Sequence, residues 1–326
     1  MNLSSRPNVL SVPLTWVAML ALLTIWVACG SNNINNLNEL DSPTRGHIKI
    51  SVDANYQPII DSELMVFHSL YENAHITPRY TSESEAIQDL LLDSARVAFV
   101  SRKLTDAELQ PFKALQYSPK VIEMARDAVS LIVNPANTDT SLALSELKDI
   151  LNGKIKSWKE LNLKSKLGVI RVVFDNPNSG IVRYVRDSVC RCEKLPETAF
   201  AAQTNEEVIK YVSENPAAIG IIGVNWISDF DDPTVQNFMK EIRTVSIASQ
   251  KGGEYFKPYQ AYIATKQYPL LRTLYSISRE ARSGLGVGIT SFIASERGQR
   301  IILKSGLVPA TMPLRVIKTD TEQKKW

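Results

Sequence analysis

From His47 onward, short runs of β-branched and other apolar residues alternate with stretches of helical period, and this alternation restricts the fold more than any other feature. "HIKISV" reads as a strand, "PIIDSELMVFHSLYENA" as an amphipathic helix, "ITPRY" as a strand, "SEAIQDLLLDS" as a helix and "VAFVS" as a strand. The pattern resumes with the strand "AVSLIVN", the helix "LSELKDILNG" closed by Gly153, the strand "VIRVVFD" and the helix "SGIVRYVRDSV". "NEEVIKYVSENP" and "AIGIIGV" repeat the theme. Such alternation predicts an open α/β sheet with helices on both faces, whose ligands bind beyond the C-terminal ends of the strands. No stretch between residues 46 and 326 reads as a long linker or a fixed-period repeat.

Four strand-to-helix corners carry hydroxyls, amides or cations. They are "SVDANYQ" with Asp53, Asn55 and Tyr56, "RYTSESEA" with Thr81 and Ser82, "VSRKLT" with Ser101 and Arg102, and "FDNPNSG" with Asn178, Ser179 and Gly180. The first N–H groups of a helix lack intrahelical partners and sit at the positive end of its dipole. Corners of this kind converging on one cleft make a pocket for a small anion, held by backbone N–H groups, hydroxyls and the cations Arg102 or Lys103. Each corner also has a plain structural reading. Ser and Asn are favoured N-caps, and Ser82 with Glu85 fits a capping box.

Composition removes several other classes. With 44% hydrophobic and 22% charged residues the chain has the apolar content a packed core needs, and 37 Lys and Arg against 34 Asp and Glu leave no basic excess for nucleic acid. There is no Ser-His-Asp or Cys-His set and no Walker-type loop, and His47, His68 and His75 lie far in sequence from Cys190 and Cys192, so no catalytic residue, metal or cofactor is expected. The Cys-x-Cys pair reads as free or locally bridged.

Residues 1–28 hold one charge, Arg6, then the apolar run "LTWVAMLALLTIWVA", which reads as a secretory signal. "IWVACGS" resembles the lipobox of bacterial lipoproteins, with Trp26 where Leu is usual. The resemblance implies cleavage before Cys29, lipidation of that residue, a polar tether over 29–45, and attachment to a membrane in the periplasm or cell envelope. A plain secretory signal or an uncleaved anchor are the alternatives. Cleavage leaves roughly 300 residues, enough for two compact lobes.

"ARDAVSLIVNPAN" (125–137), "LSELKDILNGKIKSWKEL" (144–161), "NSG" (178–180), "AIGIIGV" (218–224) and "SERGQRIILKSGLVP" (295–309) resemble the substrate-binding proteins of phosphate ABC importers, the PstS family. The resemblance covers most of residues 46–315. It implies the two-lobe type II periplasmic binding-protein fold, each lobe an open mixed α/β sheet flanked by helices, with a ligand held between lobes joined by two hinge strands. Lobe 1 is then residues 46–122 plus 262–326 and lobe 2 residues 123–261. The implied protein is a monomer and not an enzyme, with phosphate or a related small oxyanion as ligand and an ABC permease as partner. Residue by residue, Ser101, Ser179 and Gly180 carry over as ligand contacts, and Arg126 of "ARDA" lies near a hinge.

The departures from the family pattern are charged. Glu83 and Glu85 stand at the start of the second helix, Arg102 stands where the family has Asp, Asp175 where it has Arg, and Ile181 where it has Thr. An Arg in place of an acceptor implies weaker discrimination against sulfate, which has no proton to donate. The alternative is a degenerate site, in which Arg102 and Lys103 pair internally with Glu83, Glu85 or Asp175 and leave a scaffold or signalling lipoprotein.

Overall fold

The computed structural model describes residues 41–312; the expected signal peptide, Cys29 and residues 30–40 of the tether lie outside the described residues. The chain runs β1 (Gly46–Asp53), a 3-10 turn (Ala54–Tyr56), α1 (Gln57–Leu70), β2 (Ala74–Thr81), α2 (Glu83–Leu91), β3 (Val97–Val100), α3 (Asp106–Ala114) and the long strand β4 (Lys120–Val133). It continues through β5 (Ser141–Ala143), α4 (Leu144–Leu151), α5 (Trp158–Leu161), β6 (Arg171–Phe174), α6 (Gly180–Tyr184), β7 (Ala199–Ala201), α7 (Asn205–Glu214) and β8 (Ala218–Gly223). The last described elements are α8 (Pro233–Glu241), β9 (Arg243–Thr244), β10 (Ser246–Ala248), α9 (Gln260–Ala264), β11 (Leu271–Ser278), α10 (Leu285–Ala294), α11 (Glu296–Lys304) and β12 (Val308–Pro309). Among the described residues no helix is long and apolar enough to cross a membrane.

The strands lie in the order β2-β1-β3-β11-β4-β8-β6-β7. β1, β2 and β3 are parallel, β11 runs antiparallel to β3 and β4, and beyond β4 the antiparallel β8 is followed by parallel β6 and β7. β4 belongs to both halves. Its first part pairs with β11 and β12, and Val129–Val133 pairs with β8. This is the two-lobe α/β architecture, with β4 as a strand that crosses from one lobe to the other.

Period-two alternation divides the core on each half. In the second half Val172 and Ile221 face one apolar cluster with Leu131, Leu147 and Trp158, while their neighbours Val173 and Ile222 face another with Val208, Ile209 and Val212. In the first half Ile50, Val52 and Phe99 pack under α1 and α10, and Ala98 and Val100 pack under α2 and α3. Helices cover both sheet faces, so the strands read as nearly continuous apolar runs. β4 is twice the length of the "AVSLIVN" strand, because "KVIEMARD" is held by long-range pairing to β11, which no local pattern signals. α1 stops at Leu70, short of the expected Ala74, which opens β2. Cys190 and Cys192 are joined as a disulfide around Arg191, whose φ of 53° is left-handed.

One core residue is out of character. Glu63 on α1 is fully buried beside Ile59, Ile60, Leu64 and Phe67, and neither carboxyl oxygen has a partner among the described residues. Burial pushes its pKa from 4.5 up to about 9. The neutral acid is the form the fold tolerates, so its contribution is fully present below pH 4.5 and is lost as pH rises through 9. Glu63→Gln, a neutral group of the same shape, should match the wild type near pH 4.5 and exceed its stability by on the order of 3 kcal/mol at pH 7. Urea unfolding of both proteins at pH 5, 7 and 8 checks this; parallel pH profiles would show that Glu63 is solvated.

Candidate functional site

The C-terminal ends of β1, β2 and β3 face the end of β6 across the line where the halves meet. After β1, Asp53 caps the 3-10 turn by accepting from the Asn55 N–H at 3.1 Å and from Asn55 Nδ2 at 2.8 Å. Asn55 Nδ2 also reaches across to Asp175 Oδ2, at 3.1 Å, and the Asn55 carbonyl accepts from Asn225 Nδ2 and Trp226 Nε1 at 2.7 and 3.0 Å. After β6, Ser179 caps α6, accepting from the Val182 N–H and donating to Asp175 Oδ1 at 2.8 Å. Gly180 then comes so close to the other half that a Cβ built on it would stand 2.3 Å from Asp53 Oδ2 and 2.8 Å from Ser101 Oγ.

At the centre lies Glu83, the first residue of α2, with a side chain 2% exposed. Its carboxylate accepts from the Ser101 N–H at 2.8 Å, from the Ser101 hydroxyl, and from Nε and Nη2 of Arg183, one turn into α6. Arg183 Nη2 also donates to Ser101 Oγ at 2.9 Å. Below this cluster Arg272 on β11 faces Asp127 on β4, Nη2 to Oδ2 at 2.6 Å, with the guanidinium 5.3 Å from the centroid of the Tyr56 ring.

Three carboxylates in one cleft oppose one another's ionisation. Burial, then the charges of Glu83 and Asp175, push Asp53 up to about 7 against the pull of Arg272. Burial likewise raises Asp175 against its hydrogen bonds from Asn176 and Ser179. Burial acts upward on Glu83 too, but the hydrogen bond and charge of Arg183 with the two Ser101 bonds outweigh it and hold Glu83 below the usual carboxylate range. Glu83 is therefore the ionised member, and the Ser101–Arg183 donor set is a cradle for an anion.

Of the residues singled out in the sequence, Asp53, Asn55, Ser101, Ser179 and Gly180 meet here. Thr81 and Ser82 line an adjoining polar cavity of about 390 Å³ with Tyr80, Asn176 and Asn205. Ser82 does accept from the Glu85 N–H, but the Glu85 carboxylate turns to Thr81 and Arg79, so only half of the expected capping box forms. The Asn178 carbonyl accepts from Ser84 Oγ across the cleft. Tyr56 is buried under Arg272, with its hydroxyl sealed from solvent. Arg102 stands at the edge of the site: Glu108 takes its guanidinium in a two-pronged pair at 2.7 and 2.8 Å, while its Nε lies 3.8 Å from Glu83 Oε2, within ion-pair distance. Arg126 neighbours Asp127 on β4, so alternation turns it to the face opposite Arg272. Glu83, Arg183, Asp127 and Arg272 were not singled out as contacts. The one available signal was Arg183 four residues after the Ser179 cap, and so on the same side of the helix start as that hydroxyl.

A mixed sheet divided by a shared strand, with helix starts facing each other across the division, is the architecture of two-lobe binding proteins. The PBP superfamily domain matches residues 38–297, and the chain belongs to that superfamily. Curated relatives bear out the likeness to PstS proteins. The phosphate-binding protein PstS of Pseudomonas aeruginosa PAO1 is 24% identical over 270 residues, 77% of this chain and 78% of that protein. The protein of the same name from Staphylococcus aureus USA300 is 25% identical over 249 residues, 76% of this chain and 72% of that protein. The fold is shared with a Clostridium perfringens protein crystallised with bound phosphate, at a TM-score of 0.69 and 23% identity over 81% of this chain and 99% of that one. It is shared also with an ABC-type phosphate transport receptor of Vibrio cholerae, at a TM-score of 0.62 and 21% identity over 81% and 100%.

Proposed function

We propose that the protein is an extracytoplasmic substrate-binding protein that holds phosphate, or a related small oxyanion, between its two lobes and delivers it to an ABC permease from a lipid anchor at Cys29. Lobe 1 comprises residues 46–122 and 262–326, lobe 2 residues 123–261, and the unit is a monomer without a cofactor. The observation that carries this reading is the donor set of Ser101 and Arg183, contributed from both lobes and closed around one ionised, buried carboxylate. Charge-assisted bonds of this kind from a guanidinium fork, a hydroxyl and a backbone N–H suit a tetrahedral oxyanion. The names of the Pseudomonas, Staphylococcus and Vibrio relatives point the same way.

Selectivity rests on the cleft acids rather than on Arg102, which Glu108 occupies. Asp53, raised to about 7, is an ionised acceptor only above that pH, where it accepts from a ligand that carries a proton and repels one that does not, so the preference for phosphate over sulfate should grow as pH rises through 7. Calorimetric titration with each anion tests this. Saturable one-to-one phosphate binding is expected, with stabilisation of about 2.7 kcal/mol at a hundredfold excess over Kd. The second reading, a scaffold or signalling lipoprotein of the same fold, is favoured by Glu83 filling the cradle, and it expects no heat and no thermal shift with either anion at millimolar concentration.

A further inference from the structure

We propose that Glu83 is a tethered ligand: its carboxylate occupies the anion cradle and holds the two lobes together when no free oxyanion is bound. Glutamate at the first position of a helix is ordinarily solvated and favoured only by the helix dipole. Here the side chain is turned inward, 2% exposed, and bonded to groups 18 and 100 residues away in sequence, Ser101 on its own lobe and Arg183 on the other. Four donor contacts converge on its two oxygens, a coordination that a bound oxyanion would otherwise receive. Arg183 also bonds Ser101 directly, so the cradle is assembled around the carboxylate and not merely touched by it.

In a two-lobe binding protein the closed state is ordinarily favoured by the ligand, through contacts that the open state lacks. An internal carboxylate makes the same contacts without a loss of translational freedom, at an effective concentration that for short tethers is in the millimolar range. A free oxyanion must displace it. Glu83 thereby sets the threshold concentration at which the protein exchanges its own carboxylate for a ligand, and closure alone no longer reports that a ligand is present.

The test compares wild type, Glu83→Ala and Glu83→Gln by small-angle scattering without ligand, with circular dichroism to confirm folding. The wild type is expected to be compact. Glu83→Ala should be expanded, and sodium formate, which supplies the missing carboxylate, should compact it again while leaving the wild type unchanged. Glu83→Gln keeps the volume and loses the charge, so it should also expand and resist formate. An unliganded Glu83→Ala or Glu83→Gln protein as compact as the wild type would overturn the proposal. A further arm rests on the oxyanion reading: phosphate affinity should rise on the order of tenfold to a hundredfold in Glu83→Ala, as the competent fraction is restored. Absence of phosphate binding in every variant, with the expansion and formate rescue intact, would discard the oxyanion reading and leave the tethered carboxylate standing. Phosphate binding equally tight in wild type and Glu83→Ala would refute the competition.

Discussion

Gly180→Ala is expected to keep the lobes from closing and to weaken the proposed oxyanion binding about a thousandfold, near 4 kcal/mol. The added methyl would meet three atoms of the opposite lobe at once: Asp53 Oδ2 at 2.3 Å, Ser101 Oγ at 2.8 Å and Glu83 Oε1 at 3.1 Å. None of these is a loose side-chain tip. Asp53 is fixed by two bonds to Asn55, and before an oxyanion displaces it Glu83 is fixed, with Ser101, by their mutual bond and by Arg183. Gly180 itself lies in ordinary helical backbone, where alanine is the better helix former, so the substitution spares the lobe that carries it. The signature is therefore specific: unchanged or slightly raised stability of the folded chain, an expanded scattering profile, and lost affinity. A variant that binds phosphate like the wild type and remains compact would show that the two lobes have slack at this point.

The parts of this design that were legible in the sequence are those that local chemistry dictates. Ser179 stands before a helical run and caps it; Val172 and Val173 alternate into opposite cores; Gly153 ends α4 at a φ of 70°. Corners such as Asp53-Ala54-Asn55 were recognisable because polar residues after a strand must satisfy the next helix start. What escaped is non-local. The burial of Glu83 depends on Arg183, 100 residues away, and without that partner the same glutamate at a helix start reads as a solvated charge. Arg102 follows Ser101 and its Nε comes within 3.8 Å of Glu83, but no local pattern signals that the capping box of α3 places Glu108 where it takes both prongs of the guanidinium. β4 appeared as a short strand since half of its length is a strand only by virtue of β11.

Arg272→Met should cost about 3–5 kcal/mol of folding stability, the range for removing one partner of a buried ion pair. Asp127 and Arg272 are directly opposed on antiparallel β4 and β11, both side chains essentially without solvent exposure, in the segment where β4 passes between the lobes. Burial drives the Asp127 pKa up, and the guanidinium is what opposes it. Asp53, raised to about 7, and Asp175 also lean on that cation, so its removal leaves three buried carboxyl groups with less compensation. The sign of the pH dependence follows. Each acid would be pushed further above its unfolded value, so the stability attached to its neutral form persists at low pH and is lost as pH rises, making the deficit of Arg272→Met larger at pH 8 than at pH 5. Adding Asp127→Asn to Arg272→Met removes the orphaned charge and should recover a substantial part of the loss, because much of the single-mutant cost is the buried unpaired carboxylate and not the worth of the pair. Urea unfolding of the wild type, both single variants and the double variant at the two pH values measures this coupling. Additive losses that do not change with pH would mean that the pair is solvated and that this part of β4 and β11 is held by packing alone.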